Sequence, residues 1–79
     1  MLKQNTLRLV VTFHTTAAAM ETERLCKAHG IPGRLLPAPR NVTSDCGIAW
    51  AMSPDDRSRF ERLAAEAALE LAGMSELAV

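Results

Sequence analysis

The chain has 79 residues, too few for more than one domain, and a domain of this size buries only roughly 60% of the surface that its unfolded chain exposes. Its content of 48% hydrophobic and 23% charged residues indicates a folded globular domain and excludes a disordered segment. Nine basic and nine acidic side chains leave no net charge, which argues against nucleic-acid binding because phosphates require a basic face.

No apolar stretch approaches the roughly 20 residues that span a bilayer, and the N-terminus has neither the hydrophobic segment nor the cleavage site of a secretory signal. We therefore expect a cytoplasmic protein without a membrane partner. In that reducing compartment the two cysteines, Cys26 and Cys46, are expected to be thiols or redox groups and not a structural disulfide.

The first half of the chain predicts a strand, a helix and a second strand. Apolar side chains alternate from Leu7 to Phe13, which is typical of a half-buried strand. Good helix formers run from Ala17 to Ala28, and Thr15 or Thr16 can cap the start of this helix through its hydroxyl. Gly30 is suited to the helix end, and Pro32 prevents continuation. Gly33 to Leu36 then predicts a short second strand.

The second half predicts a polar loop, two further strands and a helix. The loop covers residues 37–45, and the third strand runs from Gly47 to Met52. Ser53 is a good N-cap and is followed by a proline, so a second helix begins there and is expected to run to about Ala72. Residues 74–79 predict a terminal edge strand.

The element order β-α-β-β-α-β is that of the ferredoxin-like split βαβ arrangement. We therefore predict a single α+β domain over residues 1–79, with an antiparallel sheet and two helices on one face. Apolar side chains occupy both faces of the first and third strands, so the open sheet face predicts burial against a second copy or another partner.

Cys46 is the candidate functional residue. It ends a polar loop and precedes Gly47, an arrangement that can expose the sulfur beside accessible backbone amides. Thiol reactivity depends on such exposure and on local positive charge, which Arg40 in the same loop can supply. Thr43 and Ser44 can donate hydrogen bonds to a thiolate or a bound anion. The alternative, that Cys46 is a structural residue capping a strand, stays open at this point.

Two other side chains have weaker claims to a role. Cys26 lies on the apolar stripe of the first helix. It is either a small core residue or a disulfide partner of Cys46. His14 follows the first strand, as a turn residue or as a base for Cys46. The two cysteines and two histidines are not paired in sequence at the spacing of a zinc site, so we expect no metal.

Several segments resemble a known family of small bacterial proteins. They are Phe13-His14-Thr15-Thr16, Glu23-Arg24-Leu25, Gly30-Ile31-Pro32, Leu36-Pro37-Ala38-Pro39-Arg40 and Cys46-Gly47-Ile48-Ala49. This pattern is similar to the family called Putative Se/S carrier protein-like, over roughly Leu7 to Glu70. The Pro-x-Pro-Arg segment followed by the Cys-Gly pair is the most specific part of the resemblance.

The resemblance implies that Cys46 is the carrier residue and that Arg40 is the arginine of the Pro-x-Pro-Arg segment. Such a carrier holds sulfur or selenium as a persulfide or selenosulfide, without a cofactor, and passes it between donor and acceptor proteins. It would be a carrier more than a turnover enzyme. Two other functions stay open: a binding or regulatory module with a structural Cys46, and a thiol-disulfide protein that uses Cys26 and Cys46.

Overall fold

A computed structural model describes residues 7–38 and 46–78 of the chain. Within these ranges the sheet has the strand order β2-β3-β1-β4, with every neighbouring pair antiparallel. A short 3-10 turn over Pro54–Asp56 precedes the second helix. The elements are β1 (Leu7–Thr12), α1 (Thr16–Ala28), β2 (Gly33–Pro37), β3 (Ile48–Met52), α2 (Arg57–Ala67) and β4 (Gly73–Ala78). This α+β architecture confirms the predicted ferredoxin-like fold.

The hydrophobic core fills the space between the sheet and the two helices. Its largest side chain is Trp50 of β3, which is fully buried. Alternation along the central strands places every second residue on this side, as the register Leu9↔Met52 and Val11↔Trp50 shows. The other members are Leu9, Val11, Phe13, Ala19, Cys26, Ile31, Met52, Phe60, Leu63 and Ala64.

Helix α1 has the ends that its sequence predicts. The hydroxyl of Thr15 accepts a hydrogen bond from the amide of Ala18 at 3.1 Å and caps the first turn. At the other end Gly30 has a φ of +72°, which favours glycine, and the amide of Ile31 donates to the carbonyl of Cys26 at 2.8 Å. The chain therefore turns sharply from α1 into β2.

Helix α2 is shorter than predicted, since it ends at Ala67 and not near Ala72. Ala68 takes the left-handed conformation with a φ of +54°, and the amide of Leu69 donates to the carbonyl of Ala64 at 3.0 Å. Leu69 then packs against the core, and the amide of Ala72 donates to a carbonyl of β1 at 2.7 Å. Tertiary packing thus overrides the helix propensity of an alanine-rich segment.

Arg59 of α2 joins the two helices. Its Nη2 atom donates to the carbonyl oxygens of His29 at 3.0 Å and Gly30 at 3.4 Å, and its Nη1 atom bonds Asp56 at 3.0 Å. The last carbonyls of a helix have no intrahelical partner, so this guanidinium satisfies groups at the end of α1. No local pattern in the sequence predicts this contact between the helices.

The centre of the second sheet face is already buried in a single chain. Val10, Thr12, Ala49 and Ala51 lie on this face, and each is at most 2% exposed. Half-buried leucines and the exposed Arg34 lie toward its edges. Association of two copies through this face stays a prediction, but it would have to use the edges of the face and not an exposed apolar centre.

Gly33 of β2 is predicted to be required for the packing of Trp50. A Cβ atom at this position would lie 2.5 Å from Cζ2 of Trp50 and 2.7 Å from the carbonyl oxygen of Ala51. We expect Gly33→Ala to lower the free energy of unfolding by about 1–3 kcal/mol, measured by urea denaturation. Gly73→Ala is the matched control, because its Cβ would meet Thr12 at an ordinary 3.5 Å. Equal losses in the two variants would contradict this account.

Candidate thiol site

Cys46 lies immediately before β3, on the helix-covered side of the sheet. It is half-buried and packs against the edge of the hydrophobic core. Its Sγ atom donates to the carbonyl oxygen of Ile48 at 3.5 Å, which is a weak contact of the kind that a thiol makes. The core therefore holds one side of the sulfur while the residue stays partly accessible to solvent.

Gly47, the next residue after Cys46, has a backbone conformation that favours glycine. It is exposed and has a φ of +76°, and apart from its two chain neighbours a Cβ placed on it would meet no atom of the described residues within 4 Å. A side chain would strain this backbone, so the glycine is required by conformation and not by crowding. The carbonyl of Gly47 accepts from the amide of Ala38 at 3.0 Å, which extends the β2–β3 pairing past Pro37↔Ile48.

The topology brings the start of α1 to the same end of the sheet as Cys46. Thr12 pairs with Ala49, so the end of β1 lies beside the start of β3, and the exposed His14 follows β1 at this end. Helix α1 begins at Thr16 and packs against β2 and β3. Its first turn contains no acidic side chain, so its own side chains do not neutralise the positive end of the helix dipole there.

Cys26 has a very different environment from Cys46. It lies on the inner face of α1 with no exposed surface, and burial raises its pKa to about 11. A thiol in this state is a poor nucleophile, because the thiolate is the reactive form. The two cysteines, both within the described residues, are not joined by a disulfide.

Several predicted site residues lie outside the described residues. Arg40, Thr43 and Ser44 are among them, so their placement around Cys46 stays a prediction. Within residues 7–38 and 46–78, no three His, Cys, Asp or Glu side chains come together as a metal site requires. In the same ranges neither helix has the length and apolar character needed to cross a membrane.

A small cleft that no sequence motif indicates lies at the opposite end of the domain. It lies where the end of α1 meets α2, and its lining includes His29 and Arg62. Neither residue is among the candidate site residues that the sequence predicts. The two residues are 33 positions apart in the sequence, so only the fold brings them together, and no local pattern could have predicted the cleft.

The fold and the two thiols define a small α+β domain with one buried and one partly accessible cysteine. Residues 8–76 match the sequence model of the family described as Putative Se/S carrier protein-like. The match covers most of the chain, so the protein belongs to that family. No curated protein and no solved structure matches the chain.

The two thiols are predicted to react at very different rates with a disulfide reagent such as DTNB. At about pH 8, a pKa of about 11 leaves only about one Cys26 thiol in a thousand ionised. We expect one thiol per native chain to react quickly and the second only after urea unfolds the protein. Cys46→Ser should remove the fast phase and Cys26→Ala should retain it. Fast reaction of both thiols in the native chain would contradict the assignment.

Proposed function

We propose that this protein carries a zero-valent sulfur or selenium atom on Cys46 and passes it from a donor protein to an acceptor protein. The observation that supports this function is the contrast between the two thiols. Cys46 is partly exposed and precedes an exposed glycine, whereas Cys26 is fully buried and has a raised pKa. Membership of the Se/S carrier protein-like family supports the same function.

The loading step is an exchange at a persulfide. The Cys46 thiolate attacks the terminal sulfur of a donor persulfide, R–S–SH, so that a bond from Sγ to sulfur forms and the donor's S–S bond breaks. The donor leaves as the thiolate R–S⁻, and the proton stays on the transferred sulfur. The sulfur is zero-valent before and after the step, so no oxidant is needed. A donor of the form R–S–SeH would deliver selenium in the same way.

The release step is the same exchange with an acceptor. A thiolate of the acceptor protein attacks the terminal sulfur or selenium, and the bond to Sγ breaks to regenerate the Cys46 thiolate. Both steps require an attacking group to approach the end of the sulfur chain. The partial exposure of Cys46 and the exposed Gly47 next to it support such an approach, and the exchange itself requires no cofactor.

Positive charge and hydrogen-bond donors near Cys46 would assist loading in this proposal. The N-terminal end of α1, whose first turn has no acidic side chain, lies at this end of the domain. In this proposal Arg40 adds positive charge, Thr43 and Ser44 donate hydrogen bonds to the anion, and His14 accepts the thiol proton. A reducing cytoplasm, where we expect the protein to act, keeps the thiol available for loading.

The two alternative functions have less support. A thiol-disulfide protein would require Cys26 to leave the core, where it is fully buried. A binding module would use the second sheet face, whose apolar centre is already buried within the chain. Neither alternative gives a role to the partial exposure of Cys46.

Intact-mass spectrometry after incubation with cysteine persulfide tests the carrier function. We expect the wild type to gain about 32 Da, the mass of one sulfur atom, with the added mass on Cys46. Cys46→Ser should gain nothing, because its hydroxyl cannot form the persulfide. Cys26→Ala is the matched control and should gain the same mass as the wild type.

Each other result contradicts the carrier function in a distinct way. A gain of sulfur by Cys46→Ser, or no gain by Cys26→Ala, would show that Cys46 is not the cysteine that carries the sulfur. No gain in any variant, with urea midpoints showing that each is folded, would favour the binding module. A loss of about 2 Da from the wild type alone would indicate a Cys26–Cys46 disulfide and the redox function.

A further inference from the structure

A small cleft lies at the end of the domain opposite Cys46. Gly33 pairs with Met52 at this end of the sheet, and the cleft is where α1 ends beside α2. Its volume is about 170 Å³, well below the roughly 300 Å³ of the smallest sites for drug-sized ligands. Only a molecule of a few heavy atoms fits it. The lining residues are His29, Ile31, Arg59, Arg62, Leu63 and Glu66.

The floor and one wall of the cleft are fixed by packing. Ile31 and Leu63 belong to the hydrophobic core and present apolar surface. Arg59 already bonds Asp56 and the two carbonyls at the end of α1. Its guanidinium is therefore part of the structure, and its charge is largely satisfied by these partners.

Arg62 and Glu66 are the charges that remain available in this cleft. An arginine four residues before a glutamate occurs twice on α2, and Arg57 bonds Glu61 with Nε 3.1 Å from Oε2. Arg62 and Glu66 have the same spacing and line the same cavity, yet within the described residues no ion pair joins them. The cleft thus holds one positive and one negative group that do not neutralise each other by contact.

We propose that this cleft binds a small zwitterion of the α-amino-acid type. The ligand's carboxylate accepts two hydrogen bonds from the guanidinium of Arg62, and its ammonium group donates to the carboxylate of Glu66. A short side chain lies against Ile31 and Leu63. A simple anion would be repelled by Glu66 and a simple cation by Arg62, so the pair of charges selects a molecule that carries both.

NMR titration of the ¹⁵N-labelled chain with L-alanine tests this site. We expect saturable amide shifts in residues 29–31 and 59–66, with a Kd of about 1 mM, as a ligand of this size allows. Arg62→Gln and Glu66→Gln should each weaken binding at least about tenfold, since each removes one charged hydrogen-bonding partner. Arg24→Gln, on an exposed arginine paired with Glu21 away from the cleft, is the matched control and should bind as the wild type does.

Two analogues of alanine separate a zwitterion site from a site for one charge. N-acetylalanine keeps only the carboxylate and alanine amide keeps only the ammonium, so both should bind at least about tenfold more weakly than alanine. The absence of saturable shifts, equal binding of either analogue, or unchanged binding in both cleft variants would overturn the proposal. Cys46→Ser should bind alanine normally, so failure here is distinguishable from failure of the carrier function.

Discussion

The burial of Trp50 is the packing constraint on which the rest of this small domain depends. Its indole is fully buried and lies against Gly33 of the neighbouring strand, where no larger side chain fits. Among the residues that the structure describes, the buried Nε1 of Trp50 has no hydrogen-bond partner, and an unsatisfied buried donor costs about 1–3 kcal/mol. The hydrophobic burial of this large ring has to exceed that cost for β3 to stay in place.

The register of β3 determines on which side of the sheet the candidate thiol lies. A slip of one residue in a strand would exchange the two faces of the sheet on which its side chains lie. The burial of Trp50 therefore also fixes the face on which Ile48 and the preceding Cys46 lie. Cys46 therefore packs against the core edge beneath the helices, and α1 begins at that same end of the sheet. The core thus supports the site without enclosing it.

The same small fold gives its two cysteines opposite properties. Cys26 is fully buried on the inner face of α1, where desolvation raises its pKa and keeps the thiol neutral. Cys46 lies before the start of β3 and is partly exposed, and Gly47 between them has a positive φ. A domain with one protected and one accessible thiol can hold a reactive sulfur without forming an internal disulfide.

Much of the fold follows from local patterns in the sequence. Alternation predicts β1 and β3, and Thr15 and Gly30 mark the ends of α1. The end of α2 does not follow, because Ala68 adopts a left-handed conformation that is rare for a residue with a side chain. Local sequence carries no sign that the following segment must return to pair with β1.

The functional sites are also only partly predictable, because part of their structure arises from contacts between residues far apart in the sequence. The Cys-Gly pair indicates an accessible thiol, and the positive φ of Gly47 agrees with the turn that the sequence predicts there. The hydrogen bonds of Arg59 to the end of α1 join residues that are 30 and 29 positions apart in the sequence, and the small cleft is lined by residues from both ends of this contact. Such long-range contacts arise from tertiary packing and have no signal within a local window.

A carrier must release its cargo as well as accept it, so discharge of the loaded protein is the most direct test. Protein loaded on Cys46 would be mixed with excess glutathione while folded, and its intact mass would be followed with time. We expect the chain to return to its unloaded mass as glutathione attacks the terminal sulfur and leaves with it as glutathione persulfide. A second glutathione converts that persulfide to glutathione disulfide and sulfide, so persulfide and sulfide together should equal the sulfur lost from the protein. Sulfur that stays on Cys46 until urea unfolds the chain would contradict the carrier function.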